Sequence, residues 1–466
     1  MPGWCGKLLM IDLTTRTSST RRLPAEVYHA CIGGRGLAAH LLAPEAARAW
    51  DDPAMPLLVM TGPLTGTAAP AAAQTCIMSR SPLTGTVGDG VAGGRLGGEL
   101  KRAGWDGLVI TGRSARPCGI EVADDRVRIV DADGCAGLDT RQLQRRLQAK
   151  GAVVTPGPAA ANGVRFANLV AGGAAAGRNG LGLAFAAKGL LYLTATGSGR
   201  VEVADAAELE RAREEILRLL AASSALMGEL GLARYGTGAL YDLTHSRRMM
   251  PTDNFRRTYF PAAPRLNAFA LGQAYAPTPT GCPDCPVCCG RATADGRAVP
   301  AFEAMSHFSA LLLNTDLETV VEANDRCLRL GLDPVSAAAT LACHAEVRGR
   351  ALRPAAVLSL LDGMAAGEGA GAALASGSAA WAEGEGMPAA AMQVKGQELS
   401  AYDPRGACGL ALACAVSTRG GSPLSAFPIG HEILRKPVAT DRFTFGGKAR
   451  IIKIAEDTNA AIDSLG

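Results

Sequence analysis

Apolar and polar positions change their rhythm near residue 205. Before that point, short apolar runs at residues 8–13, 57–60, 107–110 and 120–122 are each bounded by Gly, Pro or Asp, a pattern that predicts strands. Residues 126–130 alternate polar and apolar over their first four positions, which predicts a strand with one wet face. Residues 93–103 and 139–150 read as helices set between these strands. After Asp205 the period lengthens. Residues 206–220 place Leu209, Ile216, Leu217 and Leu220 among Glu and Arg, the pattern of an amphipathic helix. Residues 315–330, 334–350 and 355–365 continue in helical style, and residues 367–386, rich in Ala, Gly and Glu, read as either a loose helix pair or a loop. The fold class is therefore α+β, a sheet-rich N-terminal domain over 1–205 followed by mostly α-helical domains. No solenoid repeat is visible.

Composition bounds the function classes. The 466 residues are 48% hydrophobic and 19% charged, enough for two or three domains with sizeable cores. The net charge of +4 comes from 47 basic and 43 acidic residues with no long basic run, and aromatics are 5%. A nucleic-acid binder would show a clustered basic face, so none is expected. The start, Met1-Pro2-Gly3-Trp4-Cys5-Gly6-Lys7, lacks the charged and apolar regions of a secretory signal, and no charge-free apolar run of ~18 residues predicts a membrane span. The expectation is a cytoplasmic protein whose 13 cysteines are reduced. Most of them then serve as small core residues, and any others bind metal.

The densest chemistry lies at Gly281-Cys282-Pro283-Asp284-Cys285-Pro286-Val287-Cys288-Cys289-Gly290. Cys282, Cys285 and Cys289 follow the spacing C-x2-C-x3-C, which brings three soft thiolate donors together from one loop. Pro283 and Pro286 resist helix and leave the chain free to curl around a cluster. A structural zinc would want a second close pair, and none follows; the nearest His is His307, on a helical stretch. An iron–sulfur cluster is the preferred reading, with zinc or unligated cysteines as alternatives. Cys288 is either a buried neighbour or a spare ligand.

Glycine turns form a second signal. Glycine supplies 57 residues, about 12% against a usual ~7%. Residues 62–67 and 81–85 share the string P-L-T-G, and residues 93–100 and 177–182 are also glycine-rich. Such turns either serve as ordinary punctuation or let backbone amides approach phosphates. Neither a P-loop nor a dinucleotide fingerprint occurs. A third signal is Asp403-Pro404-Arg405-Gly406, where Arg405 either clamps an anion or fixes a turn with Asp403.

In order along the chain, these strings resemble the aldehyde ferredoxin oxidoreductase family of tungsten-pterin enzymes. The resemblance runs from Trp4-Cys5-Gly6-Lys7 through Gly33-Gly34-Arg35-Gly36-Leu37-Ala38, both P-L-T-G strings and Gly98-Glu99-Leu100-Lys101. It continues through Gly177-Arg178, Met250-Pro251-Thr252-Asp253-Asn254-Phe255, the cysteine loop, Gly331-Leu332-Asp333, Tyr402-Asp403-Pro404-Arg405-Gly406 and Ala461-Ile462-Asp463-Ser464-Leu465-Gly466. It implies that residues 1–205 form a pterin-base domain, 206–400 a helical domain carrying the cysteine loop, and 401–466 the start of a second helical domain. It also implies tungsten or molybdenum held by two pterins, a [4Fe–4S] cluster beside them, and oxidation of an aldehyde to a carboxylate. The electrons would pass to ferredoxin or another electron-transfer protein. Carried over by position, the resemblance assigns cluster ligation to Cys282, Cys285 and Cys289, cofactor contacts to Gly93, Gly94, Gly177, Arg178, Asp333, Arg405 and Asp463, and a catalytic role to Glu303. A solvated helix charge is the plain alternative for Glu303.

Several positions depart from the family pattern. Gln74 and Ala174 stand where pterin-contacting arginines are expected, Val91 where an asparagine is expected, Pro423 where an active-site histidine is expected, and Leu328 where an acid opens the first D-x-x-G string. The family's fourth cluster cysteine falls two residues after the second such string, Asp463-Ser464-Leu465-Gly466, so the expectation is either a divergent branch with another substrate or a decayed, truncated or split member whose missing part lies on a second chain. Cys288, Cys408, Cys414, water or that chain would then complete the cluster. The competing reading is an electron-relay or scaffold subunit that keeps the cluster but not the catalytic metal.

Overall fold

The computed structural model describes all residues, Met1–Gly466. Its first part is built on two six-stranded sheets. The first contains β1 (Lys7–Asp12), β2 (Thr17–Arg22), β3 (Leu57–Thr61), β4 (Thr75–Arg80), β5 (Val87–Ala92) and β6 (Gly107–Thr111), in the order β2-β1-β6-β3-β4-β5. The second contains β7 (Cys118–Ala123), β8 (Arg126–Asp131), β9 (Ala152–Thr155), β10 (Leu169–Ala171), β11 (Ala174–Ala176) and β12 (Leu190–Thr196), in the order β11-β10-β9-β12-β7-β8. Each sheet has one parallel pair, β1 with β6 and β7 with β12; the other neighbours are antiparallel.

The apolar runs follow from burial on both faces. Along β1, β3 and β6, Leu9, Val59 and Leu108 point into one core shared with Ile120, Val154 and Leu193 of the second sheet. Their neighbours Leu8, Leu58 and Val109 point the other way, onto Leu37 and Leu42 of the helix Gly34–Leu42. Successive side chains alternate faces, so a strand covered twice reads as a continuous apolar run. β8 alternates as expected of an edge with one wet face. β2 is polar and wholly exposed, and only its ladder with β1 makes it a strand. The helix expected over 93–103 begins later, at Leu96, because residues 93–95 form a turn.

The remainder is mostly helical. Leu317–Leu330 and Pro334–Val347 meet at a tight corner. Gly331, at φ 76°, ends the first helix, and Asp333 caps the second, with Pro334 at its first position. That is the usual division of labour, glycine after a helix and proline at the next start. Small residues Ala337 and Ala338 let this helix pack closely under Val321, Val357 and Leu361. Of the two readings for 367–386, the helix pair is observed, at Gly369–Leu374 and Ser378–Gly384. The amphipathic helix forms at Ala206–Ala222, but none of its residues is buried, and Leu219 remains 69% exposed. Its apolar stripe therefore does not serve the core that the pattern implied. No single helix is long and apolar enough to cross a membrane.

The helical part is tied to the sheets through backbone and charge. Asn168 N–H donates to the Gly331 carbonyl at 2.7 Å and Asp333 N–H to the Phe166 carbonyl at 3.1 Å. The last helix, Lys448–Leu465, lies on Gly34–Leu42, where Gly36 N–H donates to Ser464 Oγ at 2.9 Å. Gly62 is required there, because a Cβ would stand 2.1 Å from the Leu465 carbonyl oxygen. Beside this contact, Asp89 of β5 accepts two hydrogen bonds from the Arg419 guanidinium and pairs with Arg35 Nε at 3.2 Å. Arg35 also reaches Asp463 at 3.4 Å. Burial works against the Asp89 charge, yet the two arginines hold its pKa below the usual range.

Removing one member of a buried pair leaves the other charge uncompensated. Arg419→Met is therefore expected to cost about 3–5 kcal/mol of stability by urea unfolding, and adding Asp89→Asn should recover part of that loss. A single variant as stable as the parent would show that the pair carries no such weight.

Candidate functional site

The helix Phe302–Ser306 continues into a π-helical turn, His307–Leu311. Such turns are rare and occur often at functional sites. Glu303 and His307 are four residues apart, so they share one side of this helix. The extended segment 397–401 faces them. His307 is fully buried, with Nε2 3.1 Å from the Leu399 carbonyl oxygen. The Ala401 N–H favours the ionised form of Glu303. Glu303 is half-buried, and its Oε1 is closed off from solvent and has no partner.

Arg178 enters from the turn that follows β11. Its Nε donates to Asp333 Oδ2 at 3.0 Å and its Nη2 to the Glu398 carbonyl at 3.0 Å, while Nη1 is buried without a partner. Asp333 also accepts from Val335 N–H at 3.2 Å and Ser336 N–H at 3.1 Å, so this carboxylate both caps a helix and anchors the guanidinium. Glu398 Oε1 accepts from Ser378 N–H and Oγ, each at 2.9 Å, and its Oε2 is unpaired. The Gln397 amide, Ser336 Oγ, Ser400 Oγ and His307 Nδ1 are also buried and unpaired. A buried unmade hydrogen bond costs about 1–3 kcal/mol. Three of these groups, on Arg178, Glu303 and His307, share one charged neighbourhood and make it the candidate place for a polar guest.

Charge shapes the same region. Burial raises the pKa of Glu303, opposed by the Arg178 charge and assisted by Asp333. Burial, opposed by the Leu399 hydrogen bond and helped by the Arg178 charge, pushes the His307 imidazole down to about 3. Cys414, buried on the helix Cys408–Val416, feels both Arg178 and Glu303, and burial raises its thiol to about 12, so it stays neutral. Phe255 stands edge-on to His307 at 6.4 Å, and Tyr402 packs on Phe302 at 4.9 Å, closing the region with aromatic rings. Trp4 lies elsewhere, bonded to the Ile32 carbonyl.

The cysteine loop is adjacent to the first sheet. Gly94 N–H donates to Cys282 Sγ at 3.2 Å, and a Cβ on Gly93 would stand 2.7 Å from the same sulfur. Cys285 N–H donates to the Cys282 carbonyl at 3.2 Å, and Cys288 turns its thiol onto the Cys285 carbonyl at 3.1 Å. Cys289 is exposed; burial raises its thiol, and Cys282 and Cys285 add to the rise. No three His, Cys, Asp or Glu side chains close on a single point. A four-iron cluster presents its irons at separate corners, and three free thiols with an amide already directed at one of them fit such a group.

The residues expected to act together fall into three places. Arg178, Asp333 and Glu303 converge. Gly177 packs its backbone against Gly90, whereas Gly93 and Gly94 belong to the cysteine loop. Asp463 sits with Arg35, Asp89 and Arg419. Arg405 stands apart, spending its guanidinium on Asp403 and the Phe255 carbonyl, which is the turn-fixing alternative. Three participants escaped sequence reasoning: His307, Glu398 and the Asp89–Arg419 pair. The Glu303–His307 spacing was the one available signal. Of the departures, Ala174 is exposed on β11, and Gln74 keeps a buried, unpaired Oε1.

Two family models match the chain, "Aldehyde ferredoxin oxidoreductase, N-terminal domain" over residues 8–197 and "Aldehyde ferredoxin oxidoreductase, domains 2 & 3" over residues 211–466. The tungsten-containing aldehyde ferredoxin oxidoreductases of Pyrococcus furiosus and Thermococcus kodakarensis are each 32% identical to it, over 100% of this chain and 81% of theirs. A Pyrococcus furiosus aliphatic sulfonate oxidoreductase, WOR-like subunit, is 31% identical over 56% of this chain and 44% of its own. Among solved structures, the active site complex BamBC of benzoyl coenzyme A reductase has the same fold, with a TM-score of 0.84, 19% identity, and coverage of 100% of this chain and 81% of that one.

The depressed His307 imidazole makes stability depend on pH. The unfolded residue binds a proton below about 6.5 while the folded one refuses it until about 3. Its contribution is therefore complete above the unfolded value and lost as pH falls, by up to ~1.4 kcal/mol per unit. The difference in unfolding free energy between the parent and His307→Phe should be flat from about pH 7 to 9 and slope from about 6 to 4. A difference that is constant with pH would show an imidazole that titrates normally.

Proposed function

The chain belongs to the aldehyde ferredoxin oxidoreductase family, and from that premise we propose that it oxidises a small aldehyde to its carboxylate, with two electrons leaving through the cysteine loop to ferredoxin or a similar carrier. The observation that carries this reading is the set of unpaired buried polar atoms on Arg178, Glu303 and His307, in a chain that also presents a loop of free thiols. A bis-pterin tungsten or molybdenum centre, when bound, supplies the two-electron chemistry, and a [4Fe–4S] cluster gives the electrons a way out. Cys282, Cys285 and Cys289 would hold that cluster, with Gly94 N–H stabilising the first thiolate.

The residues of the chain bind, orient and shield. Arg178 Nη1 offers a fixed cationic donor, already oriented by Asp333 and Glu398, to an anionic group of cofactor or product. Glu303, with its raised pKa, holds a proton more readily than an exposed carboxyl. Phe255, Phe302 and Tyr402 keep bulk water away, which strengthens each polar contact inside. The cytoplasm is the compartment proposed, since an exposed Cys289 thiol requires reducing surroundings.

A second reading follows from Gln74, which places a neutral amide where the family pattern has a cation, and from Pro423, which removes an imidazole. On it, the chain is an electron-relay subunit without the catalytic metal. Metal analysis of anaerobically purified protein separates the two. Tungsten or molybdenum with about four iron atoms supports the enzyme, iron alone supports the relay, and zinc alone sinks both.

Two substitutions test the assignments. Cys285→Ser is expected to lower iron content and destabilise the helical part, and full iron occupancy would refute the ligand assignment. Glu303→Gln should reduce turnover by about 10²–10⁴-fold, the range for an acid–base group, with little change in unfolding midpoint. An unchanged rate would make Glu303 a bystander.

A further inference from the structure

With Nε2 facing the Leu399 carbonyl oxygen, the His307 imidazole can only carry its proton on that nitrogen. Nδ1 is then a lone-pair acceptor, fully buried and without a donor. Four residues earlier, Glu303 Oε1 is likewise enclosed and unpaired. The two side chains are braced on the same extended segment, His307 at Leu399 and Glu303 at Ala401. The Glu303 carboxylate oxygen and His307 Nδ1 are both acceptors. One water between them would satisfy both, since it has two O–H groups to donate and keeps its lone pairs free.

We propose that His307, beside Glu303, holds the water consumed in aldehyde oxidation: its Nδ1 accepts one hydrogen bond from that water, while the Glu303 carboxylate takes the water's first proton. This rests on the oxidoreductase reading above. The reaction is RCHO + H₂O → RCOO⁻ + 3 H⁺ + 2 e⁻. A carbon–oxygen bond forms to the water oxygen, an O–H bond of that water breaks, and its proton passes to the Glu303 carboxylate. The aldehyde C–H bond breaks later; that hydrogen and the remaining O–H leave as protons, and two one-electron iron–sulfur carriers take the electrons. Glu303, whose pKa burial raises, is the stronger base of the two, and the weakly basic His307 imidazole stays neutral and holds the water in place. Arg178 and Asp333 face the pair from the turn after β11 and from the helix start at Pro334, and Tyr402 and Cys414 face Glu303 from the segments that follow 401.

The first experiment reads the imidazole directly. In as-purified, oxidised protein labelled with ¹⁵N-histidine, the His307 signals are assigned by their loss in His307→Phe. The expected pattern is a proton on Nε2, a bare Nδ1 shifted by an accepted hydrogen bond, and no titration from about pH 5 to 8. A proton on Nδ1, or an Nδ1 signal free of any hydrogen bond, overturns the proposal. The second experiment is kinetic. His307→Phe should lower kcat by about 10²–10⁴-fold while KM stays within about threefold and metal content is unchanged. His307→Asn, which restores a polar acceptor at the Nδ1 position, should recover about tenfold. Equal turnover in His307→Phe, or a rise in KM alone, refutes the role. Were the parent protein inactive on every aldehyde, the oxidoreductase reading would fail, and the ¹⁵N pattern would still decide whether the Glu303–His307 pair holds water.

Discussion

The ion pair between Arg178 and Asp333 is the contact on which the rest of this molecule turns. Arg178 belongs to the sheet-rich part, and Asp333 opens a helix of the other part. The carboxylate accepts two backbone N–H groups at that helix start and the guanidinium Nε as well. It is therefore saturated with hydrogen bonds. The guanidinium is fixed in turn by the Glu398 carbonyl, which brings the segment 397–401 into register. That segment anchors His307 at Leu399. One pair thus aligns two domains, a helix start and the wall of the site, leaving a single nitrogen of Arg178 uncommitted.

A matching arrangement lies on the other side. Asp89, Arg419, Arg35 and Asp463 join β5, the loop after residue 416 and the last helix. Asn179 spans the two groups, donating to the Arg419 carbonyl at 2.7 Å from the position next to Arg178. Buried charges of this kind contribute little net stability against apolar packing, because desolvation consumes much of the attraction. What they supply is position. An apolar contact tolerates sliding by a fraction of an ångström, whereas a carboxylate with three partners does not.

The sequence made the framework readable where one local rule decided the outcome. The runs at β1, β3 and β6 are apolar because both faces are covered, and the corner at Gly331–Pro334 follows from helix capping alone. Reading failed where the cause was distant. β2 has no apolar residue and exists only because β1 offers it a ladder. Ala206–Ala222 carries an apolar stripe that the fold leaves only half-buried, since period reports what a helix can bury rather than what it meets. In the site, Glu303 was legible through family resemblance, and Arg405 was over-read: its charge is consumed locally by Asp403. His307 stayed hidden because an isolated histidine within an apolar stretch looks like packing until its partners are seen.

Gly93 and Gly94 show how a correct position can carry a different cause. A glycine-rich turn suggests amides approaching a phosphate. Here the amide of Gly94 approaches a sulfur instead, and the absent side chain of Gly93 makes room for that same sulfur. The consequence reaches both halves of the molecule. Cys282 cannot shift without displacing the end of β5, and β5 carries Asp89, which holds Arg419 and Arg35. The cysteine loop is thereby fixed to the same strand that organises one flank of the candidate site. A thiolate there would gain from the amide dipole, since hydrogen bonds to an ionised acceptor are the stronger ones. The glycine turn is thus the joint where a redox loop, a sheet edge and a buried charge cluster share one geometry, and any side chain at position 93 would strain all three.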